Sequence, residues 1–323
     1  MLASLPTLAR LEAAAAIVHE ALRPTPQYAW PLLREALGCE LWVKHENHSP
    51  IGAFKVRGGL RYFHELAQRR ERPYGVISAT RGNHGQSVGF AAARYGIPAT
   101  IVVPAGNSRE KNAAMRALGV ELLEHGEDFQ AAREHAEELA RQRRLHMIPA
   151  YHALLVEGVA SYSLELLRAV PDLEVVYVPI GMGSGICGMI AAREALGCRT
   201  EVVGVVSAHA PAYALSFAAR RPVDHAVSTR IADGMACRQA APEALEILWR
   251  HMARVVQVTD DEVGAAMRLM FSTTHNAAEG AGAAGLAAAL QERARLAGRK
   301  VAVVLSGGNV DREVFARILL PSS

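Results

Sequence analysis

The sequence predicts an α/β protein of two lobes, in which each lobe is an open, mostly parallel, twisted sheet flanked by helices. Short runs of β-branched and aliphatic residues alternate along the chain with long alanine-rich stretches of helical periodicity. Alternation of this kind is typical of parallel sheets that carry helices on both faces. The chain has 323 residues, and 50% of them are hydrophobic, which is enough for two compact lobes with a large buried core.

The predicted elements follow this alternation from one end of the chain to the other. A first helix is predicted over residues 7–21, and the prolines Pro24 and Pro26 end it. Strands are predicted over residues 41–46, 76–79, 100–104, 121–123, 145–148, 175–179, 201–206, 255–259 and 301–305. Further helices are predicted over residues 86–95, 109–118, 129–143, 189–196 and 260–271. Residues 1–50 together with 151–323 form the larger predicted lobe, and residues 51–150 form the smaller one.

Composition excludes several classes of protein. A net charge of +3 does not indicate nucleic acid or an anionic membrane as a partner. The longest uncharged run, residues 175–192, contains Pro179 and several glycines, so it predicts a strand, a loop and a helix rather than a membrane span. Arg10 and Glu12 interrupt the first apolar stretch, so no signal peptide is predicted. The four cysteines form no CxxC pair, which predicts a reduced, cytoplasmic setting without a thiol zinc site.

Four segments at predicted strand ends carry groups suited to chemistry, and ligands of open α/β sheets bind at such ends. The first segment is residues 48–58, where Lys55 stands in a turn bounded by glycine and proline, just ahead of a helical pattern. A desolvated lysine loses its proton easily, and a neutral amine forms a Schiff base with an aldehyde. Taken alone, the segment favours an ordinary surface lysine.

The second segment is residues 78–86, which lies between a predicted strand and a predicted helix. The free amides at a helix N-terminus bind anions such as a carboxylate. Asn83 in this segment can donate a hydrogen bond to a phenolate-type oxygen. The alternative is a polar turn with a capping asparagine.

The third segment is residues 179–188, which follows an apolar strand and opens a helix. Its alternating glycines Gly181, Gly183 and Gly185 let backbone N–H groups close around a phosphate. The alternative is a tight turn between the strand and the helix.

The fourth segment is residues 305–309, directly after the last predicted strand. The hydroxyl group of Ser306 at this strand end can hydrogen-bond a ring nitrogen. Taken alone, the segment favours a simple turn near the C-terminus.

Together the four segments, in this order and at this spacing, resemble the fold-type-II pyridoxal-5′-phosphate (PLP) enzymes, and within them the threonine/serine dehydratase and serine racemase group. The resemblance runs from about residue 24 to the C-terminus. It implies PLP as the cofactor, with the larger lobe binding PLP and the smaller lobe carrying the substrate loop. It also implies that water is eliminated from a β-hydroxy amino acid to give a 2-keto acid and ammonia, and that the enzyme is a homo-oligomer, usually a dimer.

The resemblance implies a role for each matching residue. Lys55 is the catalytic lysine that carries PLP as a Schiff base, and Phe54 packs against the PLP ring. Asn83 is the partner of the cofactor's 3-oxygen, and Ser306 is the partner of its pyridine nitrogen. Glu279 matches an acidic residue near the ring, although a charge at a helix N-terminus is an equal alternative. The phosphate loop contains Gly181, Met182, Gly183, Ser184 and Gly185, and the loop for the substrate carboxylate contains Thr80, Arg81, Gly82 and His84.

The chain departs from the family pattern at three places. Arg81 replaces a serine or threonine that acts as an acid and base in racemases, and arginine is a poor base, so racemisation is in doubt. One hypothesis is that Arg81 pairs with a second acidic group of the substrate, as in 3-hydroxyaspartate; the alternative is an arginine turned to solvent or to a carboxylate. Ile51 replaces a small hydroxyl residue. Residues 201–212 offer no acidic ligand after their strand, so no metal site is predicted.

Other functions stay open as alternatives. Residues 183–188 fit GxGxxG, which would indicate an NAD-dependent oxidoreductase, but the next strand ends in Val206 and Ser207 instead of an acid. A non-catalytic PLP-binding protein is a second alternative. β-Replacement enzymes of the same fold have threonine where this chain has His84. Threonine, serine, 3-hydroxyaspartate and bulkier β-hydroxy amino acids all remain candidate substrates, and a racemase remains a candidate activity.

Overall fold

The computed structural model describes residues 5–320, which form a six-stranded sheet and a four-stranded sheet flanked by helices. This architecture confirms the predicted fold class. The strands in chain order are β1 (Gln27–Ala29), β2 (Glu40–His45), β3 (Val76–Ala79), β4 (Ala99–Val103), β5 (Glu121–Glu124), β6 (His146–Met147), β7 (Val175–Pro179), β8 (Glu201–Ser207), β9 (Arg254–Val258) and β10 (Lys300–Leu305).

Fourteen α-helices and two short 3₁₀ helices, Glu46–His48 and Asp233–Met235, connect the strands within residues 5–320. The α-helices are α1 (Leu8–His19), α2 (Pro31–Leu37), α3 (Lys55–Ala67), α4 (Asn83–Tyr95), α5 (Arg109–Ala117), α6 (Phe129–Gln142), α7 (Ala153–Ala169), α8 (Ser184–Leu196), α9 (Ala212–Ala219), α10 (Pro242–His251), α11 (Asp260–Thr274), α12 (Gly280–Gln291), α13 (Arg293–Leu296) and α14 (Arg312–Leu319). None of these helices is both long and apolar enough to cross a membrane.

The larger sheet has the strand order β1-β2-β10-β7-β8-β9, and all its pairings except that of β1 with β2 are parallel. Its central strands are buried on both faces. In β7, Val176 and Val178 belong to one apolar cluster, whereas Val175 and Tyr177 belong to the cluster on the opposite face. Since helices cover both faces, these strands are continuous apolar runs in the sequence, and that is why their positions are predictable.

The smaller sheet has the parallel order β5-β4-β3-β6 and lies within the predicted smaller lobe. We use "smaller lobe" below for this sheet with α4, α5 and α6, and "larger lobe" for the six-stranded sheet with its helices. The lobe boundaries at residues 50/51 and 150/151 stay a prediction. Residues 1–4 and 321–323 of the predicted larger lobe lie outside the described residues.

Strand β1 was not predicted from the sequence. Its three residues are half-buried or exposed, and it pairs antiparallel with β2 at the edge of the larger sheet. Three residues at an edge carry neither an apolar run nor a full alternation, so no periodic signal marks them. Helices α4 and α8 also begin earlier than predicted, at Asn83 and Ser184, because glycines in their first turns lower the apparent helix propensity.

The C-terminal ends of β3, β7 and β10 meet between the two lobes, and three of the four chemistry-bearing segments follow these ends. The turn before α3, which contains the remaining segment, joins the end of β10 directly: the Phe54 amide donates to the Ser306 carbonyl oxygen at 3.0 Å, and Ala53 forms a β-bridge with Gly307. The first and the fourth segment, far apart in the chain, therefore share one backbone contact.

A buried ion cluster holds the beginning of α3 against the larger lobe. The Arg57 guanidinium is fully buried and donates to Glu46 Oε2 at 2.7 Å and to Glu165 Oε1 at 2.6 Å. Lys44 Nζ, also fully buried, donates to Glu165 Oε2 at 2.6 Å, so two cations balance two carboxylates. Burial alone would raise the pKa of Glu165, but Arg57 and Lys44 lower it to about 2.

We expect Arg57→Met to reduce the free energy of unfolding by about 3–5 kcal/mol, because two buried carboxylates lose their main cation. Urea unfolding followed by far-ultraviolet circular dichroism measures this change. Arg133→Met is the matched control, since Arg133 pairs with Glu137 on the exposed face of α6. That pair is worth about 1 kcal/mol or less. Equal losses in the two variants would contradict the role assigned to the buried cluster.

Candidate active site

A cavity between the two lobes contains every site residue predicted from the sequence. Its empty volume is about 990 Å³, part of which opens to solvent. The predicted residues on its wall are Phe54, Lys55, Thr80, Arg81, Gly82, Asn83, His84, Gly181, Met182, Gly183, Ser184, Gly185, Glu279 and Ser306. Their common location is an observation, whereas the individual roles stay predictions.

Lys55 is the first residue of α3, and its amine lies deep in the cavity wall. Its Nζ donates to Ser184 Oγ over a long 3.4 Å and lies 5.1 Å from the centre of the Phe54 ring. Among residues 5–320, no acidic side chain forms an ion pair with it. Desolvation lowers the pKa of Lys55, because an uncompensated ammonium group is unfavourable away from water. The site therefore favours a neutral, nucleophilic amine.

The glycine loop after β7 leads into the N-terminus of α8. Gly183 has φ +98°, a conformation that L side chains rarely adopt, and a Cβ at Gly181 would lie 2.5 Å from the Gly234 carbonyl oxygen. The Tyr213 hydroxyl donates to the Met182 carbonyl oxygen at 2.8 Å and fixes the loop. Helix N-termini leave their first amides without helical partners. This cradle of amides, lined by glycines, fits a phosphate group.

The substrate loop precedes α4 and contains a buried histidine. His84 Nε2 is enclosed by the protein, and none of the described residues forms a hydrogen bond with it. Desolvation, and to a lesser extent the nearby Lys55, lowers the pKa of His84 to about 3. The imidazole is therefore neutral at every pH at which an enzyme works, and one nitrogen stays available to a ligand. The Gly82 amide donates to Thr80 Oγ1 at 3.0 Å, which shapes the turn.

Arg81 makes no side-chain hydrogen bond or ion pair with any residue in the described range 5–320. It is exposed, and it lines both the cavity and an adjoining cleft of about 530 Å³. The alternative in which Arg81 pairs with a neighbouring carboxylate is therefore wrong for this structure. The position leaves its guanidinium free for a group that enters from the cleft.

Glu279 stands at the N-cap position of α12, yet its side chain does not cap the helix. Instead it is buried in the cavity wall, where Oε1 accepts from Asn83 Nδ2 at 2.5 Å and Oε2 accepts from Lys111 Nζ at 3.1 Å. Ser306 is also buried, at the end of β10. The contact with Asn83 favours a role near the ligand over a charge that merely stabilises the helix N-terminus.

The sequence argument missed Lys111, Asp233 and Asn309, which complete this wall. Lys111 lies on α5 and pairs with Asp233 at 2.7 Å as well as with Glu279. A compositional signal for it existed. The chain contains only four lysines, Lys44, Lys55, Lys111 and Lys300, among 35 basic residues. Three of the four lie in the protein interior or the cavity wall, so a lysine in this arginine-rich chain marks a special environment.

The comparisons with known proteins agree with this geometry. A family model described as "Pyridoxal-phosphate dependent enzyme" matches residues 18–307. The chain is 33% identical to an L-threonine ammonia-lyase of Thermotoga maritima, over 89% of this chain and 72% of the relative. It is 31% identical to a biosynthetic L-threonine dehydratase of Haemophilus influenzae over 91% of this chain, and it spans only 58% of that relative.

Two further comparisons extend over nearly the whole length of both proteins. The chain is 28% identical to an L-threo-3-hydroxyaspartate ammonia-lyase of Saccharomyces cerevisiae, over 94% of this chain and 93% of the relative. A solved threonine deaminase of T.th. superimposes with a TM-score of 0.87 at 31% identity, covering 95% of this chain and 99% of that one.

We expect Gly183→Ala to weaken binding of pyridoxal phosphate by at least about tenfold, which corresponds to about 1.4 kcal/mol. The new Cβ would lie 2.8 Å from Ala244 Cβ and would strain the loop at a positive φ. Gly197→Ala is the control at the other end of α8, where φ is +65° but the space is open. It bears a similar backbone strain and should leave the affinity unchanged. Equal affinities of the two variants, measured by fluorescence titration, would count against the phosphate cradle.

Proposed function

Because the chain belongs to the family of pyridoxal-phosphate dependent enzymes, we propose that it eliminates water from a β-hydroxy amino acid and releases a 2-keto acid and ammonia. It is a PLP-dependent ammonia-lyase of the threonine dehydratase kind. The observation that carries the proposal is the neutral amine of Lys55 beside the amide cradle before α8. A phosphorylated aldehyde needs both features, and they lie on one cavity wall.

The residues present fit PLP at every part of the molecule. The amides at the start of α8 would hold its phosphate, Lys55 would bond to its aldehyde carbon, and Phe54 would pack against its ring. Asn83 would donate to the 3-oxygen, and Ser306 would partner the pyridine nitrogen. When bound, PLP supplies an electron sink for the pair of electrons left at the substrate's α-carbon.

The chain's own residues position the substrate and move its protons. The amides before α4 and the loop from Thr80 to His84 bind the substrate carboxylate, since a helix N-terminus favours an anion. The Lys55 amine accepts the α-proton, because its lowered pKa leaves a free electron pair on Nζ. Ser306 is a neutral partner and does not hold a positive charge on the ring nitrogen as a carboxylate would. That choice favours loss of the β-hydroxyl group over transamination.

The setting of the enzyme is also a proposal. We propose a cytoplasmic homodimer whose only partner in catalysis is a small amino acid, with no role in nucleic-acid or membrane binding. All four cysteines are free thiols, which suits a reducing compartment. Sedimentation equilibrium of the purified protein tests the dimer, and a monomeric mass at micromolar concentration would contradict it.

We expect Lys55→Ala to abolish keto-acid release and the yellow colour of the purified enzyme, because no amine remains to bond the aldehyde. Lys300→Ala is the matched control: Lys300 begins β10, at the end of that strand remote from Ser306, and its Nζ contacts the Pro171 carbonyl oxygen. It should keep both properties. Borohydride reduction followed by peptide mapping should label Lys55 in the wild-type enzyme. A label elsewhere would refute the assignment.

A second candidate function concerns substrates with two carboxylates. Within the described residues Arg81 has no partner at the mouth of the cavity, and the adjoining cleft also contains Arg230. A guanidinium group recognises a carboxylate through paired hydrogen bonds. The resemblance to the yeast L-threo-3-hydroxyaspartate ammonia-lyase supports the same class of substrate. We propose 3-hydroxyaspartate as the alternative to threonine and serine.

We expect Arg81→Ser to lower kcat/KM for 3-hydroxyaspartate relative to threonine by roughly 10–100-fold, since a charge-assisted hydrogen bond is worth about 1.5–3 kcal/mol. Arg109→Ser, which changes another arginine of the same cleft, should leave the ratio unchanged. Keto-acid release from both substrates measures it. An unchanged ratio in Arg81→Ser would leave the monocarboxylic substrates as the conclusion.

A further inference from the structure

A chain of hydrogen bonds runs through the cavity wall from Lys111 to the backbone at Ile51. Lys111 Nζ donates to Glu279 Oε2, and Glu279 Oε1 accepts from Asn83 Nδ2. Asn83 Oδ1 accepts from Asn309 Nδ2 at 2.8 Å, and Asn309 Nδ2 also donates to the Ile51 carbonyl oxygen at 2.7 Å. Asn83 stands at the centre, with a carboxylate on one side and an amide on the other.

We infer that Lys111 is a positioning residue, which holds the Glu279 carboxylate against the side-chain amide of Asn83 so that one N–H of Asn83 stays available to the ligand in the cavity. The inference rests on the proposed function in one respect, namely that the ligand is PLP. It adds a residue from outside the four sequence segments and gives it a defined task.

The orientation of Asn83 follows from the donors and acceptors around it. A backbone carbonyl oxygen only accepts, so the Asn309 amide must present its NH₂ group to Ile51, and the second hydrogen of that group faces Asn83. Asn83 therefore presents its oxygen to Asn309 and its nitrogen to Glu279. One of its two N–H bonds is used by Glu279, and the other remains for a ligand.

This arrangement requires that Glu279 be an acceptor only, which means ionised. Glu279 is 2% exposed, and burial raises the pKa of its carboxyl group, whereas the Lys111 ammonium opposes that rise. A protonated Glu279 would carry an O–H donor that competes for the same partners. The Asp233 side chain is 36% exposed and keeps contact with water, so Glu279 is the member of the cluster whose ionisation depends on Lys111.

Lys111 also connects the lobes and the substrate loop. It comes from α5 of the smaller lobe, whereas Glu279 and Asp233 belong to the larger lobe. Its stem packs against Gly82, where a Cβ would lie 2.4 Å from Lys111 Cδ. A compact ammonium group on a slender stem fits this space and reaches two carboxylates at once.

The test compares Lys111→Met, which removes the charge, with Lys111→Arg, which keeps it, and with Asp233→Asn, which removes only the more exposed carboxylate. The readout is the dissociation constant of pyridoxal phosphate between pH 6 and pH 9, with no amino acid present. For Lys111→Met we expect binding at pH 6 to weaken at least about tenfold and to recover as the pH rises, because Glu279 then ionises without its cation. Lys111→Arg should restore most of the affinity at pH 6.

Asp233→Asn separates a positioning role from a structural one. It breaks the shorter of the two ion pairs between the lobes but leaves Lys111 wholly to Glu279, so we expect a flat pH profile like that of the wild type. If Asp233→Asn reproduced the profile of Lys111→Met, Lys111 would be only a link between the lobes and the inference would be wrong. A flat profile in Lys111→Met would overturn it equally.

A double variant links the pH dependence to one group. Lys111→Met combined with Glu279→Gln contains no titrating carboxyl group beside Asn83, so the pH dependence of pyridoxal phosphate binding should disappear; its persistence would contradict the inference. Since these titrations need no turnover, they are independent of the elimination reaction. An enzyme that binds pyridoxal phosphate as described but releases no keto acid would refute the proposed function alone.

Discussion

The position of the reactive amine depends on a buried ion cluster that lies two residues further along the same helix. Arg57 uses its guanidinium to join Glu46, at the end of β2, to Glu165 on α7, and Lys44 supplies the second positive charge. Because the charges balance and every carboxylate oxygen of the pair has a donor, the cluster is tolerable in an apolar interior. It fixes the first turn of α3 against the larger lobe, and with it the place where Lys55 enters the cavity.

The cavity brings together groups whose bonding capacity is not used within residues 5–320. In this range Lys55 has no carboxylate partner, His84 has a buried nitrogen without a hydrogen bond, and the N-terminus of α8 offers free amides beside Gly183. Such groups are unfavourable in a protein interior unless a ligand satisfies them. A phosphorylated aldehyde and an amino-acid carboxylate supply the missing acceptors, so ligand binding completes the hydrogen bonding of the site.

Sequence patterns predicted the fold and most of the cavity, and the exceptions have physical reasons. Strands β3 and β7 lie where they were predicted, because strands buried on both faces are uninterrupted apolar runs. The cavity residues that follow strand ends were found for the same reason. Lys111 was missed because nothing in the pattern of α5 distinguishes it from its neighbours: its partners, Asp233 and Glu279, lie 122 and 168 residues away and meet it only in the folded chain.

The scarcity of lysine has a practical consequence for covalent chemistry on this protein. Lys44 is fully enclosed, Lys111 is 6% exposed, and Lys55 is reached only through the cavity, which leaves Lys300 as the one lysine side chain that meets bulk solvent in the described part of the chain. An acylating or aldehyde reagent thus finds almost no competing amine on the outside. Small electrophiles shaped to enter the cleft would meet their nucleophile there with little background, which makes the fold a favourable host for selective inhibitors.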